Sequence, residues 1–508
     1  MKVRAAIERL PSAARAGAIW LAVYMAVCWS GQDFDARYLD YGWQLIPWDI
    51  LSSDPLRSIW YLHVQPPLWN ATLGLAAWLS PIGDVTTVQV VMATFGVATA
   101  AGCAELARRL GAGSRASVVI GLLATLHPEV LKGAFEPTYE LAVAALLVAV
   151  ALVAIGPGAE VATRRVLDPR RRVVLLAIVL TAVAMTRSLY HPVWLAVVLA
   201  ATLWTYRRRL ARRAVVTAVL VPLIVIGAWM GKNYVLFDRA TVSSWFGMNL
   251  QRAVIPVLDL DDLDDMYDRG LVSDVAVIGP FGKYALYADA VESCRPSRAH
   301  RSLTEPMRTT DPWSPNFNYE CFLPIFDQAG RDAWAVIREH PEVWLEGRLW
   351  SVRTTFAVSG TPPESSSWVM RTLDRTYSIL RLDLGGVLST RGWGTPVFGR
   401  LEAPVDFGLL LIPMYGLVIG AGVARIRRVV RSGETYDPRA LGAVVIGWTV
   451  AFTVVVGAVA ELGEQARFRT MTDPLTTVAA AVMVVGWMRR RWRWRQSGEG
   501  AQAVDVGT

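Results

Sequence analysis

The sequence predicts an all-α polytopic membrane protein of about 10 to 11 transmembrane helices with one extracytoplasmic insert of mixed structure. Three observations carry that expectation. Of 508 residues, 53% are hydrophobic and 19% charged, and the mean hydropathy is +0.35, too apolar for an ordinary soluble chain. The apolar residues arrive in blocks such as AVVTAVLVPLIVIGAWMG (214–231) and ELAVAALLVAVALVAIG (140–156), near the roughly 20 residues that cross about 30 Å of hydrocarbon. The net charge of +8 sits in short clusters at block ends: 207–213, 425–431 and 489–495. That is the positive-inside pattern rather than the basic face of a nucleic-acid binder, so nucleic acid is set aside as a partner.

Taken in order, Lys2, Arg4, Arg9 and Arg15 precede one apolar stretch with no clear cleavage site after Cys28, which reads as a retained first helix. The candidate spans are 14–31, 86–106, 116–130, 138–156, 173–185, 189–206, 214–231, 405–424, 440–460 and 474–488. Placing the arginine clusters inside makes the N-terminus, 108–115, 164–172 and the C-terminus cytoplasmic, and ten crossings close with even parity. Segment 66–81 is apolar but short, and counting it as a crossing would invert every later assignment. It is expected to be a re-entrant or interfacial helix.

The outward stretches are then 32–65, 129–137, 186–188, 232–404 and 461–473. The expected organisation is an N-terminal module (1–231) with a catalytic first outward loop (32–65), the insert (232–404), C-terminal membrane helices (405–489) and a cytoplasmic tail (490–508). The insert mixes helical patterns such as DAWAVIREHPEVWLEGRLW with Pro- and Ser-rich loops and is too long for a plain connection. Cys28 and Cys103 fall in spans, as small apolar residues. Cys294 and Cys321 both lie in the insert, where an oxidising compartment permits a disulfide, although sequence does not give their separation.

The residues with chemical potential gather in those outward stretches. The first loop, GQDFDARYLDYGWQLIPWDILSSDPLRSIWYLHVQPPLWN, spaces Asp33, Asp35, Asp40, Asp49 and Asp54 among aromatics. Carboxylates held beside aromatics at a membrane surface can serve as general bases. Asp49 and Asp54 read instead as helix caps, the latter followed by proline. Asp33 and Asp35, coming straight off the first helix, are the leading candidates. The histidines show no metal-binding spacing, so no metal is expected.

In the same loop the chain resembles the C-type-fold membrane glycosyltransferases that use polyprenyl-phosphate sugars, especially the protein mannosyltransferase and lipid A aminoarabinose transferase group. That family places an acidic pair after the first helix, followed by two residues and Tyr, then a His-Pro-Pro-Leu element. Here Asp35, Ala36, Arg37 and Tyr38 match the first, and His63 to Leu68 match the second with two residues interposed. Alignment on Tyr38 puts Phe34 at the leading acidic position, which leaves the base open between Asp33 and Asp35. Further on, HPEVLKGAFEPTYELA offers Glu136 as the second acidic residue, with Lys132 beside it. TRSLYHP offers Arg187 and His191, and WMGKNYVLFDRATVSSWFGMNL opens the insert. ELGEQARFRTMTDPL offers Glu464, Arg467, Arg469 and Asp473. Each has a plainer reading: Glu136 as a helix-dipole charge, Arg187 as a snorkelling side chain.

The resemblance implies an inverting glycosyltransferase that moves a sugar from a polyprenyl-phosphate donor to an extracytoplasmic glycan, glycolipid or protein. Asp35, Asp33 or Glu136 would be catalytic; Arg187, Arg467, Arg469, His63 and Lys132 would hold the donor phosphate; Tyr38, His191 and Glu464 would line the cavity. No cofactor is implied, because the lipid-linked sugar is itself the substrate. The Ala-, Arg- and Val-rich composition suggests a GC-rich bacterial source and its plasma membrane, with membrane lipids as surroundings. The rival class is a transporter or flippase for a lipid-linked glycan or small solute, which would place its polar groups near the bilayer midplane.

Overall fold

In this computed structural model, the described residues are 10–156, 168–358, 367–391, 402–432 and 438–502. The predicted spans reappear as helices α1 (Ser12–Trp29), α2 (Asp84–Arg109), α3 (Ser114–Thr125), α4 (Glu140–Ile155), α5 (Pro169–Thr186), α6 (Pro192–Tyr206), α7 (Arg212–Phe237), α8 (Leu411–Ser432), α9 (Pro438–Ala460) and α10 (Gln465–Gln502). Among the described residues, 5 helices are both long and apolar enough to cross a membrane, with α3, α4 and α6 as shorter apolar companions. The chain is a multi-pass, predominantly helical membrane protein. Lys2, Arg4, Arg9, Arg164 and Arg165 lie outside the described residues, as does the tail from 503.

Helix starts follow local chemistry. Pro169 and Pro192 occupy the first turns of α5 and α6, where a missing N–H costs nothing. Asp168 accepts from the backbone N–H of Arg170, and His191 from that of Val193. The short apolar segment forms a helix over Pro67–Leu79, 13 residues long. At about 1.5 Å per residue it is too short to cross.

Several boundaries differ from expectation. The span predicted from 474 begins at Gln465, so most of the outward stretch 461–473 is helical, and the span predicted over 116–130 ends at Thr125. The span predicted from 405 begins at Leu411, because the antiparallel strands β1 (Asp383–Arg391) and β2 (Glu402–Gly408) occupy the residues before it. Alternation of apolar residues along a strand looked like the start of a helix. The insert predicted from 232 begins only after Phe237, since α7 continues that far. Lys232 lies on its last turns and donates to the carbonyl oxygens of Leu62 (2.6 Å) and Trp60 (3.2 Å).

The basic clusters gather at one end of the bundle. Arg15 donates to Ser114 Oγ, and Arg109 donates to the last carbonyls of α4, those of Leu152 and Gly156. Arg172 donates to Tyr206 Oη, and Arg489 lies beside Gly113. Helices α8 and α9 meet through glycines: a Cβ on Gly422 would lie 3.1 Å from Ala443 O and 3.2 Å from Gly447 Cα. Small residues at such crossings let membrane helices approach closely.

At the opposite end the loops meet the insert. Its helices Phe246–Val254 and Phe322–Glu339 pack closely enough that a Cβ on Gly247 would collide with Phe326 O. Leu250, Val254, Leu258, Met266, Ala333 and Val336 form a core of their own. Cys294 and Cys321 are joined as a disulfide, their Cα atoms 5.6 Å apart.

Candidate active site

The first outward loop and the loop before α4 are tied at the backbone, where the Asp35 N–H donates to Phe135 O at 2.8 Å. This sets Asp35 beside Glu136. The Asp35 carboxylate takes a two-pronged donation from Arg37, Nε at 2.8 Å and Nη2 at 3.1 Å, and that guanidinium holds the carboxyl below its ordinary range. Glu136 behaves oppositely: burial pushes its carboxyl up, although Lys132 Nζ stands 3.1 Å away. Asp33 is exposed. Of the cap readings, Asp54 accepts from the Arg57 N–H and is a cap, whereas Asp49 lies inside the first turn of its helix and pairs with Arg301 at 2.7 Å.

Glu136 and Lys132 line a small cavity of about 170 Å³ with Glu140 and Arg467, and neither Asp35 nor Glu136 lines the larger cavity of about 790 Å³. Ile226 and Met230 of α7 and Phe452 and Val456 of α9 form its apolar part, and Arg187, His191, Arg252, Glu461 and Glu464 its polar end. Arg187, immediately after α5, is 7% exposed and donates to Tyr139 Oη. Its Cζ lies 4.5 Å from the Tyr139 ring centroid and 5.0 Å from that of Phe468. Burial holds its pKa down to about 10, so it stays cationic at neutral pH. Its Nε is buried with no hydrogen-bond partner among the described residues, as are those of Arg308, Arg348 and Arg469. Tyr38 donates to Gln44 Oε1 at 2.5 Å, and Gln44 lines the same cavity.

Arg467, on the first turn of α10, adjoins this end. It donates to Glu140 Oε1 at 2.5 Å, Glu464 Oε2 at 3.3 Å and Tyr139 Oη at 3.4 Å. Tyr139 therefore serves both arginines. Glu461 and Glu464 face Arg252 at 3.6 and 3.5 Å. Burial pushes the Glu461 carboxyl up, whereas Arg467 and Arg252 hold that of Glu464 down in spite of its burial.

Three predicted phosphate ligands stand elsewhere, Lys132 lining the small cavity beside Glu136. His63 is sealed in the seam between first loop and insert, its Nδ1 2.8 Å from Ser244 Oγ and its Nε2 3.1 Å from Asn318 O. Burial pushes its pKa down to about 3, so the ring is neutral and its hydrogen-bonding capacity spent. Arg469 is fully buried and donates to Asp473 Oδ2 at 2.7 Å and Glu129 Oε2 at 2.6 Å. His127, Glu129 and Asp473 form a donor group of metal-binding type, with candidate atoms within 4.8 Å of one another. The Arg469 guanidinium already supplies a cation to both of its carboxylates.

Sequence reasoning missed Arg252 and Arg308. Arg252 reaches the cavity from the insert. Arg308 donates to Gly42 O at 2.6 Å and to Leu45 O, bracing the first loop. Nothing in the surrounding sequence separates either from the insert's other arginines. Tyr139 and Glu140 were readable only as the start of a helix.

No family model matches the chain, and no curated protein matches it. Among solved structures, it superposes on ArnT from Cupriavidus metallidurans bound to undecaprenyl phosphate, at 15% identity over 89% of this chain and 77% of that one, with a TM-score of 0.34. It also superposes on the oligosaccharyltransferase AglB from Archaeoglobus fulgidus in complex with an inhibitory peptide and a dolichol-phosphate, at 11% identity over 94% and 51%, with a TM-score of 0.34. Likeness at this level carries no functional conclusion, which has to come from the site.

Proposed function

We propose that this protein is an inverting glycosyltransferase that moves a sugar from a polyprenyl-phosphate donor to an acceptor outside the cytoplasm. One observation carries the reading: a single cavity joins the apolar side chains of α7 and α9 to a polar set that contains the buried Arg187. A phosphate on a prenyl chain matches that division, with the chain along α7 and α9 and the phosphate on the guanidinium. In the reaction the acceptor hydroxyl attacks the anomeric carbon as its proton passes to a carboxylate. The anomeric C–O bond to phosphate breaks, and the electron pair leaves on the polyprenyl phosphate. One displacement inverts the centre.

Asp35 is assigned as base because it comes off the first helix and is held next to Glu136. Arg187 holds the leaving phosphate, and Arg467 orients Tyr139 beside it. Lys132 and Glu136 line a small separate cavity with Glu140 and Arg467, assigned to the acceptor. His191 and Glu464 line the cavity. The disulfide in the insert and the basic opposite end support an extracytoplasmic site in a bacterial plasma membrane. The lipid-linked sugar serves as the donor and no cofactor is invoked.

The test is release of free polyprenyl phosphate by the purified protein in nanodiscs, given polyprenyl-phosphate sugars and membrane extract as acceptor. Asp35→Asn should abolish release and Asp33→Asn should retain most of it. A folded wild type that turns over no donor would reject the enzyme reading in favour of transport.

A further inference from the structure

At the arginine-rich end, far along α10 from Arg467, helices α8, α9 and α10 enclose a second cavity of about 860 Å³. Its walls are apolar, with Ile446 from α9 and Met483 from α10, while its rim carries Arg425, Arg439, Arg489 and Arg490. These four arginines come from three helices and line the same cavity. Arg425 is half-buried and the other three are exposed. An ordinary solvated cluster at a helix end has no apolar trough beneath it. At this same end Arg207 is used differently, its Cζ lying 4.0 Å from the Trp204 ring centroid.

We infer that this groove binds an anionic phospholipid of the leaflet at the arginine-rich end. Acyl chains fit the apolar walls, and a phosphodiester meets the rim, where guanidinium geometry suits two-pronged donation. Charge complementarity favours an anionic headgroup, since a zwitterionic one brings its own cation towards the arginines. The lipid would brace α8, α9 and α10 against each other at the far end of the helix that begins beside the active cavity. This site is independent of the proposed transfer reaction and stands or falls without it.

The experiment uses the full chain, delipidated in neutral detergent, and native mass spectrometry with phosphatidylglycerol or phosphatidylcholine of identical chains. Phosphatidylglycerol should be retained preferentially. At about one kcal/mol per arginine, roughly fivefold in affinity, Arg425→Gln/Arg489→Gln/Arg490→Gln should weaken its binding on the order of a hundredfold. The matched Arg207→Gln/Arg208→Gln/Arg209→Gln should change it less than about twofold. Arg425→Gln alone, at roughly fivefold, provides the reading if the triple variant does not fold. Equal retention of the two lipids, or equal losses in the two triple variants, would overturn the site. Displacement of the lipid by millimolar inorganic phosphate would reassign the rim to a soluble anion and overturn it too.

Discussion

Arg467 donates to Glu140 at 2.5 Å and so clamps the first turn of α10 to the first turn of α4. Glu140 is buried, and its second oxygen has no partner among the described residues. Removing one member of a buried pair leaves the other charge uncompensated, at about 3–5 kcal/mol. Arg467 keeps Glu464 at 3.3 Å, so Glu140→Gln should lower unfolding stability in detergent by less than that, about 1–3 kcal/mol, and Glu140→Gln/Arg467→Gln by less than the two single costs combined. Strictly additive costs would show that the two side chains are not coupled.

The acid limb of the pH–rate profile tells the two candidate bases apart. A base must be ionised, so activity falls as pH falls through its pKa. Arg37 holds Asp35 below the ordinary carboxylate range, whereas burial holds Glu136 above it. With Asp35 as base, single-turnover rates at saturating donor should persist below about pH 4. A limb above about pH 4.5, with transfer lost in Glu136→Gln and retained in Asp35→Asn, would transfer the role to Glu136.

The membrane helices were legible because each apolar block carries its own evidence, a length near that of the hydrocarbon and arginines at one end. The outward loops were legible as a set for the complementary reason, since ionisable residues are costly in lipid and collect at its edge. Their partnerships were not legible. Arg467 and Arg469 are two residues apart on α10 and point to different surroundings, one beside Tyr139 and the cavity, the other into the Glu129–Asp473 cluster. Spacing cannot tell which arginine meets which carboxylate when the partners come from α4 and from the loop before it. His63 shows the same difficulty, because its pairing with Asn318 joins residues 255 apart in sequence. Arg252 was hidden because the insert matched no pattern.

If Arg187 grips the leaving phosphate, losing its fork should cost catalysis more than folding. Hydrogen bonds to charged groups contribute about 1.5–3 kcal/mol, roughly 10- to 100-fold in rate. Arg187→Lys keeps the charge but gives up the planar fork. It should lose about tenfold in kcat/KM, and Arg187→Gln about 100-fold, with both folded by thermal unfolding. Equal activity in all three forms would remove Arg187 from the phosphate site.

The His127–Glu129–Asp473 group bears on metal dependence. Its donors are of the right type and close enough for a divalent ion, but Arg469 donates to both carboxylates from a fully buried position. An ion could bind only by displacing a guanidinium that would then be buried without its acceptors, at several kcal/mol. Donor turnover should accordingly be unchanged by EDTA and by added magnesium or manganese. Arg469→Ala leaves the two carboxylates facing each other, and it should destabilise the fold by about 3–5 kcal/mol at neutral pH. The loss should shrink on acidification, as protonation of one carboxyl relieves the repulsion. A wild type inactivated by EDTA and restored by manganese would show that the ion, and not Arg469, balances these carboxylates during turnover.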